Sequence, residues 1–185
     1  MKSQIRILKT KPEDAKSTAE VYYKTWLDTY PNKKYKITVE DIKYKYRNRN
    51  KKEELSRRKQ DILKPKKGLI RFVAKIDDKI VGLCNIIVSE KKNQLGAIYV
   101  LPKYQGKGIG YALWDKVKKY FNPKNKTVVC VAEYNEKAIK FYERIGFVDN
   151  GKRFKDEKHK MRNGAMIPEM EMILKPKNKR DTRKD

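Results

Sequence analysis

Apolar residues along the chain switch several times between a period of two and a period near 3.6, and the switches mark out its elements. Ile5 and Ile7 alternate with Gln4 and Arg6, predicting a half-buried strand over residues 4–8. Lys11-Pro12-Glu13-Asp14 then opens a helix, with Pro12 at a tolerated early position and acids at its positive end. That helix carries Ala15, Ala19, Tyr22, Tyr23, Trp26 and Leu27 and stops at Pro31. Thr38-Val39-Glu40-Asp41 has the form of a capping box with Asp in the usual Glu position. One long helix is expected from there to about Leu63, with Asn48 to Asn50 its weak point. Strands follow at residues 69–76, 79–89 and 94–101, with Asp77-Asp78 as a hairpin turn and Lys92-Asn93 as the next turn. This is an antiparallel meander. A helix from about Lys107 to Phe121 has Ile109, Leu113, Val117, Tyr120 and Phe121 on one face. Thr127 to Ala132 is a continuous apolar run, the pattern of a strand buried on both faces and paired in parallel across a right-handed crossover. Asn135 caps a further helix and Gly146 ends it. A sixth strand starts at Phe147 and runs to Gly151, a polar loop covers 152–164, and a seventh strand covers 166–174. The fold class is therefore α/β, more strictly a mixed α+β sheet flanked by helices. Residues 1–175 read as one domain and 176–185 as a charged, disordered tail.

The stretch from Leu95 to Phe121 has the most chemical character. A strand ends at Pro102 and a basic glycine loop, Gln105-Gly106-Lys107-Gly108-Ile109-Gly110, leads into a helix. The first N–H groups of a helix have no intrahelical partner and favour an anion. Glycines let a ligand approach that backbone closely, and Lys107 adds charge. A close-packed structural turn is the alternative, but it seldom requires three glycines. A P-loop would need a glycine at Leu101 and Ser or Thr after Lys107, and has neither. The dinucleotide fingerprint G-x-G-x-x-G differs from the G-x-G-x-G found here.

Composition narrows the chemistry. Cys84 and Cys130 lie in apolar runs and are expected as buried thiols, not as a disulfide. His159 is the sole histidine, so a zinc site or a Ser-His-Asp triad has almost no material. No metal is expected. No apolar run reaches eighteen residues and the N-terminus lacks the apolar block of a signal peptide, so a cytoplasmic protein without membrane contact is expected. The net charge is +25, which attracts nucleic acid non-specifically. Lysine dominates over arginine, however, as compositional drift would produce, whereas specific readers lean on arginine. Between Lys43 and Lys67 basic residues outnumber acidic ones by about four to one, the mark of a solvated face or of a binding face.

Two motifs together carry a resemblance. Tyr99-Val100-Leu101-Pro102 followed by Gln-x-x-Gly-x-Gly, and then Asn135, Ala138, Phe141-Tyr142 and Gly146-Phe147, resemble the two signatures of the GNAT superfamily of N-acetyltransferases. The element order matches that fold over residues 4–175. The resemblance implies acetyl-CoA as cosubstrate and a primary amine, small, polyamine or protein-borne, as acceptor. It implies that backbone around Tyr99 and Val100 holds the developing oxyanion. It places the CoA pyrophosphate on the backbone of Gln105, Gly106, Lys107, Gly108, Ile109, Gly110 and Tyr111, and the pantetheine arm on Asn135. Tyr142 would be the general acid, or else a core aromatic. The central strand lacks the Glu that many relatives use as base, which leaves Glu133 as the nearest carboxylate, or a water chain. Tyr22, Trp26 and Tyr30 form an aromatic stripe that packs on the sheet or lines an acceptor pocket. A homodimer is compatible with this reading. The reading from a different class is a non-catalytic nucleic-acid- or ribosome-binding protein on the same scaffold.

Overall fold

A computed structural model describes residues 4–155 and 157–175. The tail expected at 176–185 lies outside the described residues. Seven strands, β1 (Arg6–Lys9), β2 (Leu69–Ile76), β3 (Lys79–Val88), β4 (Asn93–Val100), β5 (Thr127–Ala132), β6 (Phe147–Lys155) and β7 (Pro168–Leu174), form one sheet in the order β1-β2-β3-β4-β5-β7-β6. The expected meander is present, and β4 with β5 is the parallel pair. Asp77 and Asp78 both take positive φ, the turn that matches the twist of a two-residue hairpin.

Five α-helices cover the sheet: α1 (Ala15–Thr29), α2 (Val39–Lys45), α3 (Lys52–Leu63), α4 (Ile109–Val117) and α5 (Glu136–Arg144). Alternation along the strands sorts them into two layers. Phe72, Cys84, Leu95 and Val129 face α4 and α5, where Leu113, Trp114 and Tyr142 complete the main core. Val73 and Leu83 face α1, where they meet Val21 and Tyr22. Trp26 and Ile42 bury a further cluster with Ile167.

Two expectations need correction. The helix expected from Thr38 to Leu63 is two helices, parted around the weak point expected at Asn48 to Asn50. Its capping box forms, with the Asp41 amide donating to Thr38 Oγ1 at 3.1 Å and the Thr38 amide donating to Asp41 at 3.0 Å. The chain then turns between Tyr46 and Lys51 because Glu20 of α1 accepts from Arg49 at 2.7 Å and from Asn50 at 3.0 Å, while Arg49 stacks on Tyr23. The second of the two helices, α3, packs on α1 and on the turn before it. The strand expected to stop at Gly151 runs on to Lys155. It does so by a bulge between Asp149 and Arg153 that Asp149 closes, accepting from the Gly151 amide at 2.9 Å and pairing with Arg153 at 2.6 Å.

The decisive feature is how β4 leaves β5. Their pairing covers only Asn93 to Leu95 against Thr127 to Val129. The narrow end is clamped by Asn93, which is fully buried and donates to Asn122 O at 2.8 Å and Thr127 Oγ1 at 3.1 Å while accepting from the Asn122 amide at 3.0 Å. A bulge then bends β4 away: Asn85 of β3 pairs with Ala97 and Ile86 with Leu95, leaving Gly96 as the extra residue. Beyond it Gly96 to Val100 has β3 on one side and no strand on the other, while β5 goes on with β7.

Candidate active site

The glycine loop lies past the open end of this gap. Gln105 folds back and donates from Nε2 to Val100 O at 3.1 Å, tying the loop to the end of β4. Gly106 and Gly108 take φ of +74° and +78°, and a Cβ on either would meet only open space. Gly108 is the left-handed N-cap of α4, where a side chain would be strained. No side chain caps α4, so its first N–H groups point outward with the positive end of the dipole behind them. The helix thus begins at Ile109, two residues later than the sequence suggests. Gly110 is inside it for another reason: a Cβ there would lie 3.2 Å from the Phe141 ring, so the glycine lets α4 and α5 meet. Lys107 lies over the Tyr104 ring at 5.4 Å, near the amides it was expected to supplement.

Asn135 begins α5, its Oδ1 accepting from the Ala138 amide at 3.1 Å. The carbonyl half of the carboxamide is thereby used, and the Nδ2 donor is left for anything in the gap. Two turns on, Tyr142 is buried between Phe141 and Phe147. Burial pushes its phenol well above the ordinary value, and a hydrogen bond from the backbone of Ile98 works in the opposite direction. The ring is therefore a core aromatic whose hydroxyl also addresses β4.

Strand alternation decides which amides face the gap. Leu101 donates to Val81 O of β3 at 2.9 Å, so the amides of Tyr99 and Ala97 turn toward β3, and those of Ile98 and Val100 turn to the open side. The Tyr99 side chain instead enters the α1 layer, where its hydroxyl meets that of Tyr30 at 3.1 Å and its ring meets Tyr22 edge-on at 5.4 Å. Trp26 is buried against Tyr30 and Tyr46, its indole N–H directed at the Tyr99 hydroxyl. Burial raises the phenols of Tyr22, Tyr30 and Tyr99. Of the aromatic stripe, Tyr22 lines a cavity between α1, α3 and the β2–β3 hairpin, while Trp26 and Tyr30 pack behind it.

Glu133 follows β5, its amide donating to Pro168 O at 3.0 Å and its carboxylate 3.6 Å from Arg153. A second carboxylate, which sequence reasoning missed, is Glu169 of β7. It stands opposite Ala132, and its charge raises the phenols of Tyr30, Tyr99 and Tyr134. Only the β5–β7 register brings it there. The two cysteines are free thiols, Cys84 buried and Cys130 half-buried. Among the described residues no cluster of three His, Cys, Asp or Glu side chains could hold a metal, and no helix is long and apolar enough to cross a membrane.

Comparison with known proteins agrees with this geometry. A family model described as the acetyltransferase (GNAT) family matches residues 20–147. An uncharacterized N-acetyltransferase of Methanocaldococcus jannaschii is 35% identical over 85 residues, 41% of this chain and 38% of that protein, so the match spans well under half of the curated relative. Among solved structures, the PaiA N-acetyltransferase of Thermoplasma acidophilum in complex with coenzyme A superposes with a TM-score of 0.68 at 23% identity, covering 93% of this chain and 99% of that one. A spermidine N-acetyltransferase of Vibrio cholerae gives 0.61 at 20% identity, covering 92% and 93%. The ribosomal-protein-S18-alanine N-acetyltransferase of Escherichia coli gives 0.61 at 17%, covering 98% and 100%.

Proposed function

The chain belongs to the GNAT family of acetyltransferases, and from that premise we propose that it transfers an acetyl group from acetyl-CoA to a primary amine by direct attack on the thioester. The observation that carries the reading is the parting of β4 from β5, with an uncapped, glycine-lined helix start at its open end and the Tyr142 hydroxyl inside it.

Each part then has a task. The Gln105 amide is taken by Pro102 O at 3.1 Å, so the amides of residues 106–111, with Lys107, suit the pyrophosphate oxygens, and the open space where Gly106 and Gly108 would carry a Cβ leaves room for them. Asn135 Nδ2 suits the amide-bearing arm that would lie along the gap. The outward Val100 amide is a fixed donor for the thioester oxygen as it gains charge, the Ile98 amide being held by the Tyr142 hydroxyl, and a fixed donor needs no reorganisation during the reaction. The amine nitrogen bonds to the carbonyl carbon, the C–S bond breaks, and the sulfur takes its proton from Tyr142. An unperturbed thiol lies near ~8.5 and a phenol near ~10, so donation is uphill in water. Burial raises the phenol further, but it raises a thiolate's proton affinity in the same site too, and it keeps Tyr142 protonated in the resting protein. An amine that is mostly protonated at neutral pH must first lose a proton. The carboxylates at the open end are Glu133, 3.6 Å from Arg153, and Glu169, whose field reaches the Tyr30–Tyr99 pair. We assign the acceptance of that proton to Glu169 through these hydroxyls and water, with Glu133 as the alternative.

The basic face between Lys43 and Lys67 offers less to nucleic acid than its sequence suggests. Arg57 and Arg58 are engaged by Glu54 and Asp61, and Arg49 by Glu20. Thermal shift with acetyl-CoA, followed by thiol release against an amine panel, tests the proposal. Stabilisation at sub-millimolar acetyl-CoA and amine-dependent thiol release are expected. No shift, with salt-sensitive binding to nucleic acid instead, would replace the enzyme by the binding protein.

A further inference from the structure

We propose that the acceptor amine carries an anionic group, and that Arg71 holds it. This rests on the acetyl-transfer reading and narrows its acceptor. The cavity between α1, α3 and the β2–β3 hairpin has a volume of about 270 Å³, and its walls include Tyr22, Arg57, Arg58, Asp61, Arg71 and Asn85. Its three guanidinium groups are not equivalent. Arg57 is spent on Glu54 and Asp61, each at 2.7 Å, and Arg58 on Glu54 at 2.9 Å. Arg71 donates from Nη1 to the main-chain carbonyl of Asp61 at 2.8 Å. Among the described residues no carboxylate pairs with it. A guanidinium has five N–H donors in a planar fork that matches a carboxylate or phosphate. A half-buried one with a single neutral acceptor therefore leaves a positive site on the cavity wall.

Asn85 supplies the opposite requirement. Its Oδ1 is buried and has no donor. Arg71 and Asn85 stand directly opposite each other in the β2–β3 register, so their side chains leave the same face about 5 Å apart. The Asn85 carboxamide also lies at the bulge of β4: a Cβ on Gly96 would fall 2.7 Å from its Oδ1. Gly96 is the first residue beyond the β4–β5 pairing. The cavity wall thus carries an unneutralised cation, and beside it a carboxamide whose inner oxygen is turned toward the start of the gap. A small amine with a carboxylate or phosphate at its far end suits this wall: its anion takes the Arg71 fork, and its chain runs past Asn85 toward the gap. A polyamine would set a second ammonium against Arg71 and leave the fork empty.

Thiol-release kinetics with acetyl-CoA separate the two. Aminovaleric acid and cadaverine share chain and amine and differ in the sign of the far group, and phosphoethanolamine brings the phosphate. The anionic amines are expected to exceed cadaverine at least tenfold in kcat/KM, and the better of the two identifies the anion. Arg71→Gln should raise their KM roughly ten- to hundredfold, the range for losing a charge-assisted pair, with kcat and acetyl-CoA affinity retained and part of the loss restored by Arg71→Lys. In a second arm without acetyl-CoA, aminovaleric acid or inorganic phosphate should raise the melting temperature of the unsubstituted protein and not of Arg71→Gln. Preference for cadaverine, an unchanged acceptor KM in Arg71→Gln, or no stabilisation by either anion overturns the proposal. Failure of acetyl-CoA itself to bind overturns the transferase reading separately, since the second arm reports on the cavity alone.

Discussion

Tyr142 joins packing and chemistry in one side chain. Its ring fills the core between Phe141 and Phe147 and its hydroxyl reaches the backbone of β4. Tyr142→Phe keeps the first and removes the second. Turnover should fall by about a hundredfold, the lower range for a general acid, while acetyl-CoA affinity and melting temperature stay close to those of the parent. Because burial holds the phenol above its ordinary value, it stays protonated through neutral and mildly alkaline pH, and any alkaline limb in kcat below about pH 9 belongs to another group. Unchanged turnover across pH with a good acceptor would reduce Tyr142 to its packing. The motif around it was legible in sequence because Asn135, Phe141, Tyr142 and Gly146 lie within one local strand–helix segment. Arg71, Asn85 and Glu169 were not, because each acquires its neighbours only through a strand register.

The same division holds among the elements. Where propensity, periodicity and caps agree locally, the sequence sufficed: β2 and β3 with their Asp-Asp turn, β5, and α5 from its Asn cap to Gly146 at φ +99°. Where a partner from another element decides, it did not. Glu20 on α1 breaks the second helix, and Asp149 carries β6 through a bulge that reads as a loop. Asn93 is the most informative case, for its sequence signal is that of a turn. In the structure it is a fully buried clamp at the closed end of the β4–β5 gap, satisfied by Asn122 and Thr127. Asn93→Ala strips partners from buried groups on the loop before β5, and should cost about 2 to 4 kcal/mol by urea denaturation. It should also weaken acetyl-CoA binding, since the clamp fixes where the strands begin to part. A variant of parental stability would mean that the closed end is held by strand pairing alone.

On the scale of the molecule, two opposing effects meet at alkaline pH. The chain carries a net charge of +25 at pH 7, so removing lysine protons near pH ~10 relieves self-repulsion and favours the compact state. Against this stand the inward-turned phenols of Tyr22, Tyr30, Tyr46, Tyr99 and Tyr142, each raised above its ordinary value chiefly by burial. A group whose folded value exceeds its unfolded value contributes stability that is complete below the unfolded value. That contribution is lost as pH rises toward the folded one. For phenols the loss therefore begins near pH ~10, in the same interval where the lysines discharge. The number of phenols affected should let their effect prevail. Urea midpoints are expected to hold steady to about pH 9.5 and to drop above pH 10. Phenolate absorbance of the buried set should appear together with loss of secondary structure, as one transition. A midpoint that climbs through this range would show that relief of charge repulsion outweighs the phenols and that the tyrosine cluster ionises without unfolding.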